Sequence, residues 1–191
     1  NIETQQLLLS EVTELAEKYK NTPGLLLFLL GNENNYGLFW AGAETEDFPD
    51  DDEKAYIGET RGRPMYRLMN EAAKRMKAVD ATHPVAICNG DVLFIDIIAE
   101  EGQDVDIFGT NTYRGVSFGD LFREVKTKLN KPILFTEFGA DAFNAIENTE
   151  DQLSQAYYVV GNWEEIYKNA AGVGGEMNVL GGFTFQFSDG W

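Results

Sequence analysis

Histidine and cysteine are nearly absent from this 191-residue chain, which has one of each, His83 and Cys88. A lone cysteine excludes an internal disulfide and a cysteine-rich metal site, and a lone histidine excludes a His-rich one. Positive charge is also scarce. Fifteen Lys and Arg stand against 32 Asp and Glu, for a formal net charge of −17. Binding to phosphates needs a basic patch, so this balance argues against nucleic acid as a partner. No apolar run approaches the ~18 residues that mark a membrane-spanning helix, so membrane insertion is not expected. What the chain does have is core material: 43% hydrophobic residues, with 13 Phe, 8 Tyr and 3 Trp. That composition excludes wholesale disorder, and the length corresponds to one domain at roughly 100–200 residues each.

The chain opens at Asn1 with neither an initiator Met nor a signal-peptide pattern, and reads as helix by Glu3. It closes on Phe187-Ser188-Asp189-Gly190-Trp191, directly after an apolar strand. Both ends read as cuts, so the 191 residues are expected to be a piece of a larger protein.

Five segments share one grammar: a short apolar run, a polar loop, then a helical pattern. The runs are Gly24 to Leu30, Pro84 to Cys88, Val105 to Phe108, Pro132 to Phe135 and Gly182 to Phe187. Strands apolar on both faces suit a parallel sheet covered by helices. The helical intervals are 3–20, with a stripe of Leu8, Val12, Leu15, Ala16 and Tyr19, and 65–79, with Met65, Leu68, Met69, Ala72, Ala73, Met76 and Val79 behind Pro64. Ser117 is positioned to cap a third helix that buries Leu121, Phe122, Val125 and Leu129. The pattern Thr149-x-x-Gln152 reads as a capping box for a fourth, 150–169, with a stripe of Leu153, Ala156, Tyr157, Val160 and Tyr167. Residues 91–101 are short and ambiguous. Alternation of this kind means an α/β fold, and a doubly wound sheet and a (β/α) barrel both satisfy it.

Each strand delivers polar residues at its carboxyl end, the end that opens onto the ligand face in either architecture. Strand one gives Asn32-Glu33-Asn34-Asn35, strand two Asn89-Gly90-Asp91, and strand three Asn111, Tyr113 and Arg114. Strand four gives Thr136-Glu137, and strand five Gln186 and Asp189. Glu33 and Glu137 are each the first acid after an apolar strand, whereas merely solvating glutamates sit on exposed helix faces. A facing pair of this kind cleaves glycosidic bonds: one carboxyl protonates the leaving oxygen, and the other attacks the anomeric carbon or activates water. On chemistry alone, a cation site and a structural pair fit equally well.

Longer strings decide among these readings. Leu30-Gly31-Asn32-Glu33-Asn34 resembles the strand-4 motif of glycoside hydrolase clan A, and Lys131-Pro132-Ile133-Leu134-Phe135-Thr136-Glu137-Phe138-Gly139 resembles its strand-7 motif. Asp106-Ile107-Phe108-Gly109-Thr110-Asn111-Thr112-Tyr113 is similar to strand 6, and Gly181-Gly182-Phe183-Thr184-Phe185-Gln186-Phe187 to strand 8 as written in family 2, the β-galactosidase and β-glucuronidase relatives. The resemblance covers nearly the whole chain in the right order. It implies the C-terminal part of a (β/α)8 TIM barrel, about strands 4–8, acting as a retaining glycosidase with no cofactor and no metal. By the same resemblance Glu33 is the general acid/base, Asn32 binds the hydroxyl beside the anomeric centre, and Glu137 is the nucleophile oriented by Tyr113. Asn89 and Asn111 are further candidates for substrate contact.

The sequence departs from the family in three ways. Phe185 and Phe187 stand where family 2 often carries Trp, which leaves Trp40 and Trp191 as candidate sugar platforms. The clan's supporting Arg from strand 2 has no counterpart, and Arg114 does not replace it. Five strands are present where a closed barrel needs eight and about 250 residues. The 191 residues alone are therefore expected to be inactive and either to self-associate or to pair with the remainder of the barrel, because open strand edges are a pairing hazard. Rival readings are a transglycosylase using the same two glutamates and a non-catalytic carbohydrate-binding barrel fragment.

Other features read as structural. Cys88 ends a buried strand as a small hydrophobe, and His83 sits at the opposite end from the site, where no Ser-His-Asp triad can use it. Seven acids in ten residues, Glu44 to Glu53, lack the alternating ligands and turn glycine of a calcium loop and read as a solvated loop. Gly172-x-Gly174-Gly175 follows a helix and precedes a strand, the reverse of a phosphate loop. Trp163 is expected in the core or facing the sheet.

Overall fold

A computed structural model describes residues 1–39 and 50–188. Two compact units divide the chain, Asn1–Phe108 and Gly109–Trp191.

In the first unit, helix α1 (Ile2–Tyr19) is capped by Asn1, whose side chain accepts from the Glu3 amide at 2.8 Å. It packs against α3 (Arg63–Val79), which carries Pro64 in its first turn. The helices bury alanines, Ala16 on α1 and Ala72 and Ala73 on α3, small side chains that allow close approach. The buried line of α1 is Leu9 and Ala16, while Leu8, Leu15 and Tyr19 are exposed, so the face turns one residue from the expected stripe. Strand β1 (Phe28–Leu30) pairs in parallel with β2 (Val85–Gly90), with Phe28 opposite Val85 and Leu30 opposite Ile87. β1 is shorter than its apolar run. β2 is buried along its whole length, as a strand covered on both faces must be.

In the long connection from 32 to 63, residues 51–63 are helical, and Glu44 to Pro49 of the acidic stretch lie outside the described residues. Helix α2 (Asp51–Ile57) starts at Asp50, whose carboxylate accepts from the Glu53 amide at 2.9 Å. Asp51, Asp52 and Glu53 therefore line a helix N-terminus, where their charge is stabilising, rather than a solvated loop. A π-helical turn, Gly58–Gly62, leads into α3. Residues 91–101 resolve into helix α4 (Ile95–Glu101). Arg63 pairs with Glu59, Glu100 and Glu101 at 2.6–2.8 Å, and Arg67 also holds Glu101. The bonds from Arg67 and then Arg63 lower the Glu101 pKa to about 2.

The division between units falls inside β3 (Ile107–Asn111). In the second unit, β4 (Ile133–Phe138) runs parallel to a C-terminal strand that the sequence places at Gly182–Phe187. Two short antiparallel strands, β5 (Phe143–Asn144) and β6 (Thr149–Glu150), intervene, so the C-terminal strand is β7, and it occupies Val179–Thr184. The three-residue shift brings Gly182 opposite Phe135, where a Cβ would lie 2.8 Å from the Phe135 Cβ. Only glycine fits there. An aromatic core forms beside it: Phe118 stacks on Phe135 at 4.3 Å, and Trp163 meets Phe138 edge-on at 5.0 Å while remaining partly exposed.

Helix α5 (Leu121–Lys128) buries Leu121, Phe122 and Val125 as expected. Ser117 does not cap it; its hydroxyl accepts from the Gly119 amide within the preceding turn. Helix α6 (Gln152–Lys168) is capped by Asp151, which binds the Ser154 amide and hydroxyl, while Thr149 belongs to β6. Its expected apolar stripe is exposed at Leu153, Tyr157, Val160 and Tyr167. The buried residues are Asn162 and Ile166, because Asn162 donates to the Gly115 carbonyl at 2.9 Å and Glu165 accepts from the Phe118 amide. Among the described residues no helix is long and apolar enough to cross a membrane.

Candidate active site

The loop after β1 turns sharply. Gly31 has φ +74°, and a Cβ there would collide with the Asn34 side chain. Glu33 also takes a left-handed conformation, φ 51°, which costs a non-glycine residue about 1–3 kcal/mol. Backbone bonds hold that turn: the Glu33 amide donates to the Cys88 carbonyl at 3.0 Å, and the Glu33 carbonyl accepts from the Tyr36 amide at 3.0 Å. The half-buried Glu33 carboxyl thus leaves the carboxyl end of a parallel strand on a fixed backbone. Asn32 beside it is exposed, and its Oδ1 accepts from the Cys88 thiol at 3.3 Å. Cys88 is therefore buried as expected, but it is also a donor to a site candidate.

Asn89 lies deeper. It is 2% exposed, its Oδ1 accepts from the Tyr66 hydroxyl at 2.6 Å, and its amide donates to the Asp91 and Leu93 carbonyls. Its polar atoms brace the loop after β2 instead of facing a ligand. Burial pushes the Tyr66 phenol well above its ordinary pKa, which keeps it a neutral donor. His83 stands at the other end of β2, bonded to Asp80 at 2.6 Å and edge-on to Phe28.

The second unit arranges its own strand ends. The Thr112 amide donates to the Glu137 carbonyl at 3.0 Å, which sets the end of β3 beside the end of β4. From there Tyr113 reaches Glu137, its hydroxyl donating to Oε2 at 2.8 Å. Tyr113 is about half exposed and Glu137 half-buried, so the pair faces open space. Asn111 is buried, and its Oδ1 accepts from the Thr136 hydroxyl at 2.6 Å, a brace one residue before Glu137. Arg114 turns away to the Phe118 carbonyl at 3.0 Å. Trp40, Trp191 and Asp189 lie outside the described residues. Among the described residues no cluster of His, Cys, Asp and Glu is arranged to hold a metal ion.

Two of the strand-end polar residues, Asn35 and Thr136, take bracing roles that their sequence positions do not reveal. Asn35 is 1% exposed and clamps Gly90, and Thr136 braces Asn111. The signal available for Asn35 was its place two residues after Glu33, but asparagine after a strand reads as an ordinary turn residue.

Strands alternating with helices, with carboxylates at strand carboxyl ends, fit a segment of a (β/α) barrel. The chain belongs to the glycosyl hydrolases of family 2, TIM barrel domain, whose family model matches residues 1–182. Solved structures agree on the fold. A β-D-glucuronidase from Dictyoglomus thermophilum matches at 17% identity and a TM-score of 0.51, over 94% of this chain and 28% of that one. The Bacteroides uniformis β-glucuronidase 2, solved covalently bound to cyclophellitol-6-carboxylate aziridine, matches at 14% identity and a TM-score of 0.65, over 96% of this chain and 21% of its own. A family 1 β-glucosidase from Thermotoga maritima in complex with isofagomine lactam matches at 13% identity and a TM-score of 0.66, over 97% of this chain and 59% of that one. The chain thus covers part of a barrel and spans less than two thirds of the length of each of these proteins.

Proposed function

We propose that this segment supplies both catalytic carboxylates of a retaining glycosidase that hydrolyses a β-glycosidic O-linkage. Glu137 attacks the anomeric carbon while Glu33 gives its proton to the departing oxygen, so the glycosidic C–O bond breaks as a glycosyl ester forms on Glu137. Glu33, now a carboxylate, takes a proton from water; the oxygen attacks the anomeric carbon and Glu137 departs. Two inversions retain configuration, which requires the carboxyl groups to lie about 5–5.5 Å apart in the complete barrel.

The observation that carries this reading is the Tyr113–Glu137 bond at 2.8 Å. A nucleophile needs one oxygen aimed at the anomeric carbon, and a phenol holding the other oxygen fixes the rotamer. Asn32, beside Glu33, is the proposed ligand for the hydroxyl next to the anomeric centre. The covalent complex of the Bacteroides relative supports a mechanism with a glycosyl-enzyme stage.

The test uses the complete barrel carrying this segment, assayed on aryl β-glucosides, β-galactosides and β-glucuronides. Glu137→Gln is expected to abolish turnover of whichever sugar is accepted, and an unchanged rate would refute the assignment. Added acceptor sugars distinguish hydrolysis from transglycosylation by their products, and binding without turnover would identify a carbohydrate-binding module.

A further inference from the structure

We infer that Asn35 is the positioning residue for the general acid/base, acting on Glu33 by locking its loop to the end of β2. The inference rests on the assignment of Glu33 proposed above. Asn35 is an asparagine 1% exposed in a loop whose neighbour Asn34 is exposed. Its amide makes a two-way clamp on one residue: Nδ2 donates to the Gly90 carbonyl at 2.9 Å, and Oδ1 accepts from the Gly90 amide at 2.7 Å. A side-chain amide used in this way replaces a strand partner for Gly90, three residues beyond the last β1–β2 pair, Leu30 opposite Ile87. Gly90 is required to be glycine, because a Cβ there would run into the Tyr36 ring.

The clamp completes a row of attachments. Glu33 donates to Cys88, and Asn35 exchanges two bonds with Gly90, so alternate residues of one loop hold alternate residues of β2. Between those attachments Glu33 keeps a left-handed φ that the free chain disfavours. Loss of the clamp lets that strain relax by backbone rotation, which swings the carboxyl. A general acid displaced by about 1 Å loses on the order of 10²-fold in rate, because proton transfer depends on position. Asn35 never touches substrate, so binding of the sugar is not its business.

The test exploits leaving groups. An alkyl β-glycoside needs its departing oxygen protonated, while a 2,4-dinitrophenyl β-glycoside does not, and kcat/KM reports the glycosylation step for both. In the complete barrel, Asn35→Ala is expected to lower kcat/KM on the alkyl glycoside at least tenfold more than on the dinitrophenyl glycoside. Asn35→Asp keeps the volume and the bond from the Gly90 amide but loses the donor, and should show the same bias more weakly. If Asn35→Ala does not fold, Asn35→Asp decides by the same ratio. Equal losses on the two substrates, or no loss, overturn the inference. Glu33→Ala run alongside separates the two claims: with Glu33 as the acid/base it shows the leaving-group bias and recovers kcat with azide, whatever Asn35 does.

Discussion

Tyr113 donates its phenolic hydrogen to Glu137 Oε2 at 2.8 Å, from the loop after β3 to the end of β4. The bond fixes one carboxylate oxygen and, in the function proposed above, leaves the other for attack on the anomeric carbon.

Tyr113→Phe removes that choice and leaves the ring. A hydrogen bond to a charged group contributes about 1.5–3 kcal/mol, so kcat/KM of the complete barrel should fall about 10- to 100-fold, with the fold intact by circular dichroism. An unchanged kcat/KM would mean that the bond has no role in turnover.

Glu33→Gln should reduce kcat/KM by about 10²–10⁴-fold on substrates with poor leaving groups, the range that general acid catalysis supplies. Equal losses on substrates with good and with poor leaving groups would assign the acid to another group.

Gly182→Ala places a methyl 2.8 Å from the Phe135 Cβ and 2.9 Å from the Phe138 ring. Overpacking of a filled core costs about 1–3 kcal/mol, which a urea titration reads as a lower midpoint at unchanged slope. A wild-type midpoint would show that β7 shifts freely against β4.

Acid should weaken the ion-pair cluster around Arg63. Glu101 has a folded pKa of about 2 against a reference value of 4.5. The unfolded chain therefore binds more protons in that window, and the contribution is full above about pH 4.5 and lost as pH falls toward about 2. Glu101→Gln should lower the urea midpoint at pH 6, with the gap to wild type closing between pH 4.5 and 2. A gap that does not depend on pH would contradict the ion-pair origin of the effect.

The positions of Glu33 and Glu137 near strand carboxyl ends were legible in the sequence, because each is the first acid after an apolar run that must be buried. Helix positions were legible for the same periodic reason, yet two faces were not. The buried side of α6 is set by Asn162 and Glu165, which satisfy backbone groups of the 115–118 loop. Such a long-range demand leaves no periodic trace. Strand β7 begins three residues before the apolar run Gly182 to Phe187, because close packing on Phe135 demands a glycine at 182, inside the strand. Asn89 and Asn111 look identical to ligand-facing asparagines in sequence, and only burial and their bonds to Tyr66 and Thr136 reveal them as braces.

The proposed function requires a covalent glycosyl ester on Glu137. It is tested most directly by inactivating the complete barrel with a 2,4-dinitrophenyl 2-deoxy-2-fluoro-β-glycoside of the accepted sugar and mapping the label by peptide mass spectrometry. The expected result is one fluoroglycosyl group per chain, on Glu137, released slowly on adding an acceptor. A label on another residue, or turnover with an inverted product and no label, would contradict it.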